Sequence, residues 1–424
     1  MIIADDFSEA RKKLTGKILE ENTSVQSRFG EIIKSKPAFI VIKKPEYVDN
    51  IDNEFWSFCG DNYVTRIEDF LNVAASKLSE SPFTRRVSLP LWMPADHLCE
   101  NPPAITEISF IQLDGRVNAT AYIRSLDTVN YFSLNMDFVT YTLHEVVNRT
   151  DFKPGSIAAI VAIPHIYSRD VKRAEDERRT ADEVYGVTEY GSHLVEDYLS
   201  SGWHSALESI FYNGLKKETE WGELFEGQAE SKFLHRLFIE INNPYELQIH
   251  DKAPFSRSYG IDYAHNYMIH AEKIDSEVTE SILNEGETYT YAERARYCEK
   301  DEVKVDQLYT VIRKLNKDRN RRDCYVGISR HWDLIANEPP CLRGYQFVGN
   351  EMLSGIFFMR SNDVFGAMHA NMFAFSTLTQ YVAELTGFGK HVYYHFAVDA
   401  HIYSEFFDAV KEILEPETPS FKIE

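Results

Sequence analysis

RSNDVFGAMHANMFAF (residues 360–375) repeats RSLDTVNYFSLNMDF (residues 124–138), with arginine, serine, aspartate, asparagine, methionine and phenylalanine returning in the same order. Outward from that pair, AHIYSEF (400–406) repeats PHIYSRD (164–170). Arg124 and Arg360, Asn135 and Asn371, and His165 and His401 all stand 236 residues apart. The pairs Arg85-Arg86 and Arg321-Arg322 keep the same step. NEPPCLRGYQF (337–347) answers ENPPAITEISF (100–110), so Cys341 falls 237 residues after Ala104. The hairpin behind it absorbs the odd residue, as DGR (114–116) in one copy and GNE (349–351) in the other. The period far exceeds the roughly 20–50 residues of a solenoid unit. Several motifs in one order at one spacing mark a duplicated domain.

The chain has 424 residues, enough for two or three domains of roughly 100–200 residues. Its formal charge of −21 disfavours nucleic acid and anionic membranes as partners. An anionic ligand would therefore need a local cluster of arginines. No apolar run approaches the roughly 20 residues of a spanning helix, and MIIADDFSEARKK does not read as a signal peptide. The cysteines are Cys59, Cys99, Cys298, Cys324 and Cys341, scattered and without a CxxC or Cys/His metal spacing. That usage fits a reduced, cytoplasmic protein without a metal. Neither GxGxxG nor GxxxxGK[ST] occurs.

Each copy reads as an amphipathic helix, a polar arginine loop, a Pro-Pro turn, a strand hairpin ending at Arg-Ser, a second helix bearing the asparagine, and a last strand delivering His and Tyr. Helical spacing appears at Ile67, Phe70, Leu71, Ala74 and Leu78, and again at Val305, Leu308, Val311, Ile312 and Leu315. The division expected is residues 1–170 for the first copy and 251–424 for the second. Residues 171–250, polar, acidic and helical around SHLVEDYLSSGWHSALESIFYNGL, read as an insert or linker.

These motifs, with YAERARY (291–297) and DRNRRDCYVG (318–327) upstream, resemble the thymidylate synthase and dCMP hydroxymethylase family. The resemblance implies an α/β (α+β) fold in two tandem copies that form an intrachain pseudo-dimer; whether the chain pairs further is left open. It implies that Cys341 is the nucleophile adding to C6 of a pyrimidine, a role in which a nearby arginine favours the thiolate. Taken alone, Cys341 reads as a buried structural thiol, the usual fate of a free cysteine. The resemblance makes Arg360 the phosphate ligand beside Ser361, Asn371 the reader of the base, His401 and Tyr403 the holders of the sugar hydroxyl, and Asp363 the carboxylate that meets the pterin. Asparagine rather than aspartate at 371 points to uracil, hence dUMP. Arg85 and Arg86 are expected to cross to the Cys341 site, and Arg321 and Arg322 to the first copy.

Copy one keeps Arg124, Ser125, Asp127, Asn135, His165 and Tyr167 but has Ala104 for the thiol and Ile163 opposite Asp399. It is expected to bind without turning over. Copy two departs on the folate side: Leu342 follows the cysteine where His is usual, Met359 precedes Arg-Ser where Gln is usual, and FKIE ends the chain soon after HIYS. No glutamate fits as general base, since Glu287 and Glu293 flank Tyr291 without the family's local pattern; Tyr291 stands as the catalytic candidate of that segment. The expectation is methylation or hydroxymethylation at C5 of a pyrimidine nucleoside monophosphate with 5,10-methylenetetrahydrofolate. The alternative is a nucleotide-binding or regulatory protein without catalysis.

Overall fold

The computed structural model describes residues 1–46, 56–58, 61–218, 230–270, 289–336 and 338–415. Its two main sheets are built on the same row of partners. In one, Ile2 pairs with Ile40, and the row continues through Ala159, Ala121, Ile108 and Leu89. In the other, Leu194 pairs with Ile239, and the row continues through His395, Phe357, Tyr345 and Val326. Parallel and antiparallel neighbours follow in the same order in both.

The strands read as near-continuous apolar runs because both their faces are covered. In the strand Ala38–Ile42, Ala38, Ile40 and Ile42 turn to the helices of their own copy, while Phe39 and Val41 turn the other way. In the strand Lys153–Val161, Ile157, Ala159 and Val161 face the helices, and Ala158 and Ile160 face out. The outward faces of the two sheets meet in a third core, where Phe39 lies edge-on to Phe238 at 6.1 Å and to Phe396 at 5.3 Å. Polar crossings pin this contact. Arg343 Nε donates to Glu107 Oε1 at 2.8 Å, with both side chains at most 1% exposed. The chain is thus its own pseudo-dimer, back to back.

The helices begin where an oxygen caps them. Asp6 accepts from Glu9 at the start of Phe7–Glu21, Asn62 from Thr65 at Tyr63–Glu80, and Asp306 from Tyr309 at Gln307–Lys317. The helices Phe132–Val147 and His369–Leu385 carry Asn135 and Asn371.

Two expectations need correction. Residues 171–250 are not mainly a linker. Strand Gly191–Glu196, helix Leu199–Asn213 and strand Glu230–Ile241 are integral to the second sheet and repeat Ile2–Ala4, Phe7–Glu21 and the strands within 30–42. Polar residues on the helix disguise a segment whose Trp203, Ala206, Leu207 and Ile210 are fully buried. The arginine pairs are also shifted by one. Leu89 and Val326 are partners in equivalent rows, so the step before the hairpin is already 237. Arg85 therefore matches Arg322, Asp323 stands opposite Arg86, and Arg321 opposite Thr84. The hairpin itself closes with one residue fewer in copy two, between the pairs Gly349–Leu353 and Gln112–Val117. Glu287, Cys59 and the FKIE end lie outside the described residues.

Candidate active site and its twin

Cys341 is half-buried at the foot of the strand Leu342–Gly349, directly after the Pro-Pro turn. Prolines offer no N–H, so the turn presents bare carbonyls, which buried structure must satisfy. Arg360 satisfies them. Its Nε donates to Pro340 O at 3.1 Å, its Nη2 to Pro339 O at 2.6 Å, and its Nη1 to Arg85 O at 2.9 Å. The Arg360 amide donates to Cys341 O at 2.9 Å. One guanidinium therefore holds the cysteine turn and the arginine loop of the other copy together.

Arg85 enters this cavity from copy one. Its guanidinium lies 2.5 Å from His401 Nε2 and donates to Tyr403 Oη at 2.9 Å. Asp399 Oδ1 is 2.8 Å from His401 Nδ1. A carboxylate only accepts, so Nδ1 carries the proton and Nε2 is the acceptor for Arg85. Asp399 is fully buried, and its other oxygen pairs with Lys217 Nζ. Burial works against the Asp399 charge, but Lys217, His401 and Arg85 outweigh it and hold the group below the usual carboxylate range. Burial and Arg85 push His401 down to about 4, so the imidazole is neutral near pH 7. Arg85 is raised: burial opposes its charge, while Asp399, Tyr403 and Cys341 support it.

Asn371 Oδ1 accepts from Tyr263 Oη at 3.0 Å. Tyr263 stacks on Tyr267 at 4.9 Å, and Tyr267 meets Tyr291 edge-on at 4.8 Å. The Tyr291 hydroxyl accepts from the Leu342 amide at 3.3 Å. Asp363 accepts from the amides of Phe365 and Gly366, and burial raises it to about 6. Arg86 Nη2 is 3.1 Å from Glu338 Oε1. The cavity enclosed is about 210 Å³, and Cys341, Asp363, Tyr291, Arg85, Arg86, Arg360, Ser361, Asn371, His401 and Tyr403 all line it. Sequence reasoning missed Lys217, Glu338, Tyr263 and Tyr267. Lys217 lay in the stretch read as linker, no repeated motif contained Tyr263 or Tyr267, and Glu338 stands in the repeated Pro-Pro motif at a position where copy one has Asn101.

The twin site is centred on Ala104. Arg124 Nε donates to Pro103 O, Nη2 to Pro102 O and Nη1 to Arg322 O, the same three acceptors in the same order. Arg322, from copy two, contacts His165 Nε2 and donates to Tyr167 Oη at 2.9 Å. His165 Nδ1 lies 3.1 Å from the carbonyl of Ile163, which stands where the other site has a carboxylate. Burial, with Arg322 and Arg124, pushes His165 down to about 3. Tyr63 plays the part of Tyr291: its hydroxyl accepts from the amides of Ala104 and Ile105 at 2.7 and 2.9 Å. A tyrosine kept in the copy without a thiol is a post for the turn, so its counterpart Tyr291 serves first to position the Cys341 strand. Arg321, Arg322, Arg124, Ser125, Asp127, Asn135, His165 and Tyr167 line this cavity of about 670 Å³, joined by Arg28 and Arg169, which sequence reasoning missed.

A family model described as "Thymidylate synthase" matches residues 29–184 and 211–424. The chain is 28% identical over 222 residues to a "Putative thymidylate synthase" of Methanocaldococcus jannaschii, a match covering 50% of this chain and 92% of that protein. A protein of the same description from Methanococcoides burtonii is 27% identical over 218 residues, covering 51% and 91%. These relatives have the length of a single copy. A solved thermostable thymidylate synthase A from Bacillus subtilis aligns at 17% identity with a TM-score of 0.43, over 51% of this chain and 84% of that one. Among the described residues no helix is long and apolar enough to cross a membrane, and no group of His, Cys, Asp and Glu could hold a metal.

Proposed function

The chain belongs to the thymidylate synthase family, and from that membership we propose that its Cys341 cavity transfers a one-carbon unit to C5 of a pyrimidine nucleoside monophosphate, dUMP. One observation carries this: a thiol, an arginine anchored on the cysteine turn, and a second arginine lent by the other copy share one cavity. Arg360 and Arg85 keep N–H groups beyond those used on the protein, and planar guanidiniums suit phosphate oxygens. His401 Nε2 and the Tyr403 hydroxyl serve the sugar hydroxyl. Asn371 offers its amide to N3–H and O4 of uracil, with Tyr263 holding its orientation.

The chemistry follows from the ring. C5 of uracil is a weak nucleophile. Addition of the Cys341 thiolate at C6 breaks the C5–C6 double bond and moves the electron pair toward O4, leaving C5 able to attack carbon. The Asn371 N–H helps to hold the charge that develops on O4. The Arg85 guanidinium and the Cys341 thiol line the same cavity.

Methylenetetrahydrofolate is the one-carbon donor in this proposal. The residues present fit a reduced pterin: the Tyr263 and Tyr267 rings line the cavity beside the Asp363 carboxylate, which would accept an N–H. When bound, that group supplies the one-carbon unit.

Incubation with 5-fluoro-dUMP, with and without methylenetetrahydrofolate, followed by intact mass and peptide mapping, tests this. A folate-dependent adduct on Cys341, absent from Cys341→Ser, is expected. Tight nucleotide binding with no adduct under any condition overturns catalysis in favour of a nucleotide sensor.

A further inference from the structure

The Ala104 cavity has kept the arginine clamp and lost the thiol. Arg124 is buried, and burial lowers its pKa, which is a standing cost to its charge. Among the described residues, Arg28, Arg124 and Arg322 form no ion pair; their partners are carbonyls, a histidine and a tyrosine. The Cys341 cavity is different. There Arg85 has Asp399 at 3.9 Å and Arg86 has Glu338 at 3.1 Å, and only Arg360 has no ion pair among the described residues. The matching positions in copy one are Ile163 and Asn101.

Among the described residues, the carboxylates around the Ala104 cavity do not cancel the surplus. Asp323 is held by Arg321 and Lys314 at 2.5 and 2.8 Å, and Asp127 accepts from the amides of its own loop. Glu100 and Asp318 remain, with Glu100 exposed at the mouth. On the same rim Arg169 stands where copy two has Glu405. The cavity is also larger, about 670 Å³ against 210 Å³. A buried guanidinium without a counter-ion is destabilising unless a ligand supplies one.

We infer that the Ala104 cavity is a binding site for a pyrimidine nucleoside di- or triphosphate, held without reaction. Asn135 and the rings of Phe58 and Tyr63 line the base end, and the unpaired arginines take the added phosphates. The inference concerns a different cavity from that of Cys341 and does not depend on turnover there.

The test uses the full chain, with calorimetric titration by deoxyuridine monophosphate, thymidine triphosphate, deoxyuridine triphosphate and inorganic tripolyphosphate, in the presence of EDTA. The triphosphates should bind once per chain at a site that saturating monophosphate does not block. Arg28→Ala and Arg169→Glu change exposed side chains, so folding is not at risk. Each should weaken triphosphate binding, the reversal by about tenfold, and leave monophosphate binding at the Cys341 cavity unchanged. No triphosphate binding by the unaltered chain, equal binding in both variants, or full displacement by monophosphate overturns the site. Tripolyphosphate binding as tightly as the nucleotides overturns its nucleoside part.

Discussion

Behind His401 lies Asp399, and behind Asp399 lies Lys217; His165 instead meets the carbonyl of Ile163, and Val25 holds the strand position of Lys217. The positions correspond strand by strand: Lys217 pairs opposite Ser231, which faces Tyr403, and Val25 opposite Ile32, which faces Tyr167. Both copies fix the same histidine tautomer, one with a carboxylate and the other with a backbone carbonyl. The fold therefore needs no buried ion pair at this place. The pair stands only in the copy that has the thiol, next to the arginine that reaches the thiol's cavity. This difference separates what holds the domain together from what serves chemistry.

The largest effect expected is at the thiol itself. Cys341→Ala makes copy two resemble copy one. It should lower turnover by roughly a thousandfold or more, with the melting temperature little changed because the side chain is only half-buried. Retained turnover, assayed by tritium release from C5-labelled substrate, would place the nucleophile elsewhere.

Next is the ion pair. Lys217→Met removes the cation in contact with the buried Asp399, leaving it His401 at 2.8 Å and Arg85 at 3.9 Å, and should cost about 3 kcal/mol of unfolding free energy. Lys217→Val with Asp399→Ile copies the other half of the molecule and should recover most of that loss. Urea denaturation of both proteins measures it. Equal losses would mean that the apolar solution of copy one does not transfer.

The crossed arginines come third. Arg85→Ala should weaken monophosphate binding at the Cys341 cavity by about 2–3 kcal/mol, the worth of a charge-assisted hydrogen bond. Arg322→Ala should leave that binding intact, since Arg322 serves the other cavity. The reverse pattern, seen by calorimetry, would break the pseudo-dimer assignment of the two loops.

The smallest effect is one of pH. Burial raises Asp363 to about 6. Its contribution to stability is present below about pH 4, the usual aspartate range, and is lost as pH rises through about 6. The carboxylate needed to accept an N–H appears over the same interval, so binding of the one-carbon donor should rise from pH 5 to 7. Asp363→Asn should remove that dependence. Asp399 has the opposite sign: its contribution is present above about pH 4 and fades as pH falls below it.

Much of the site was legible in the letters. Arg360, Asn371, His401 and their twins stood in repeated motifs because each does a job that few side chains can do. Lys217 was not legible, although it lies in an equally exact structural repeat. The segments 1–42 and 191–241 share a backbone but few letters, because a strand or helix in a core asks only for apolar residues at the right spacing. The spacing between elements also drifts. Phe7 and Leu199 open matching helices 192 residues apart, Ile40 and Ile239 pair equivalently 199 apart, and the motifs lie 236 apart. A search at one fixed step loses the first third of the second copy.

The sequence by itself determined that the chain is duplicated, that one half has alanine where the other has its thiol, and many of the side chains that gather around each of those positions. Those facts lie in residue identity and order. Only the tertiary structure decided which arginine matches which, because register is set by strand pairing and a one-residue shift before the hairpin turns Arg85 from a partner of Arg321 into a partner of Arg322. Only it showed that a supposed linker is sheet, and that, among the described residues, one cavity pairs two of its arginines with carboxylates while three in the other have none. Ion pairing depends on distances between strands far apart in sequence, which no local pattern records.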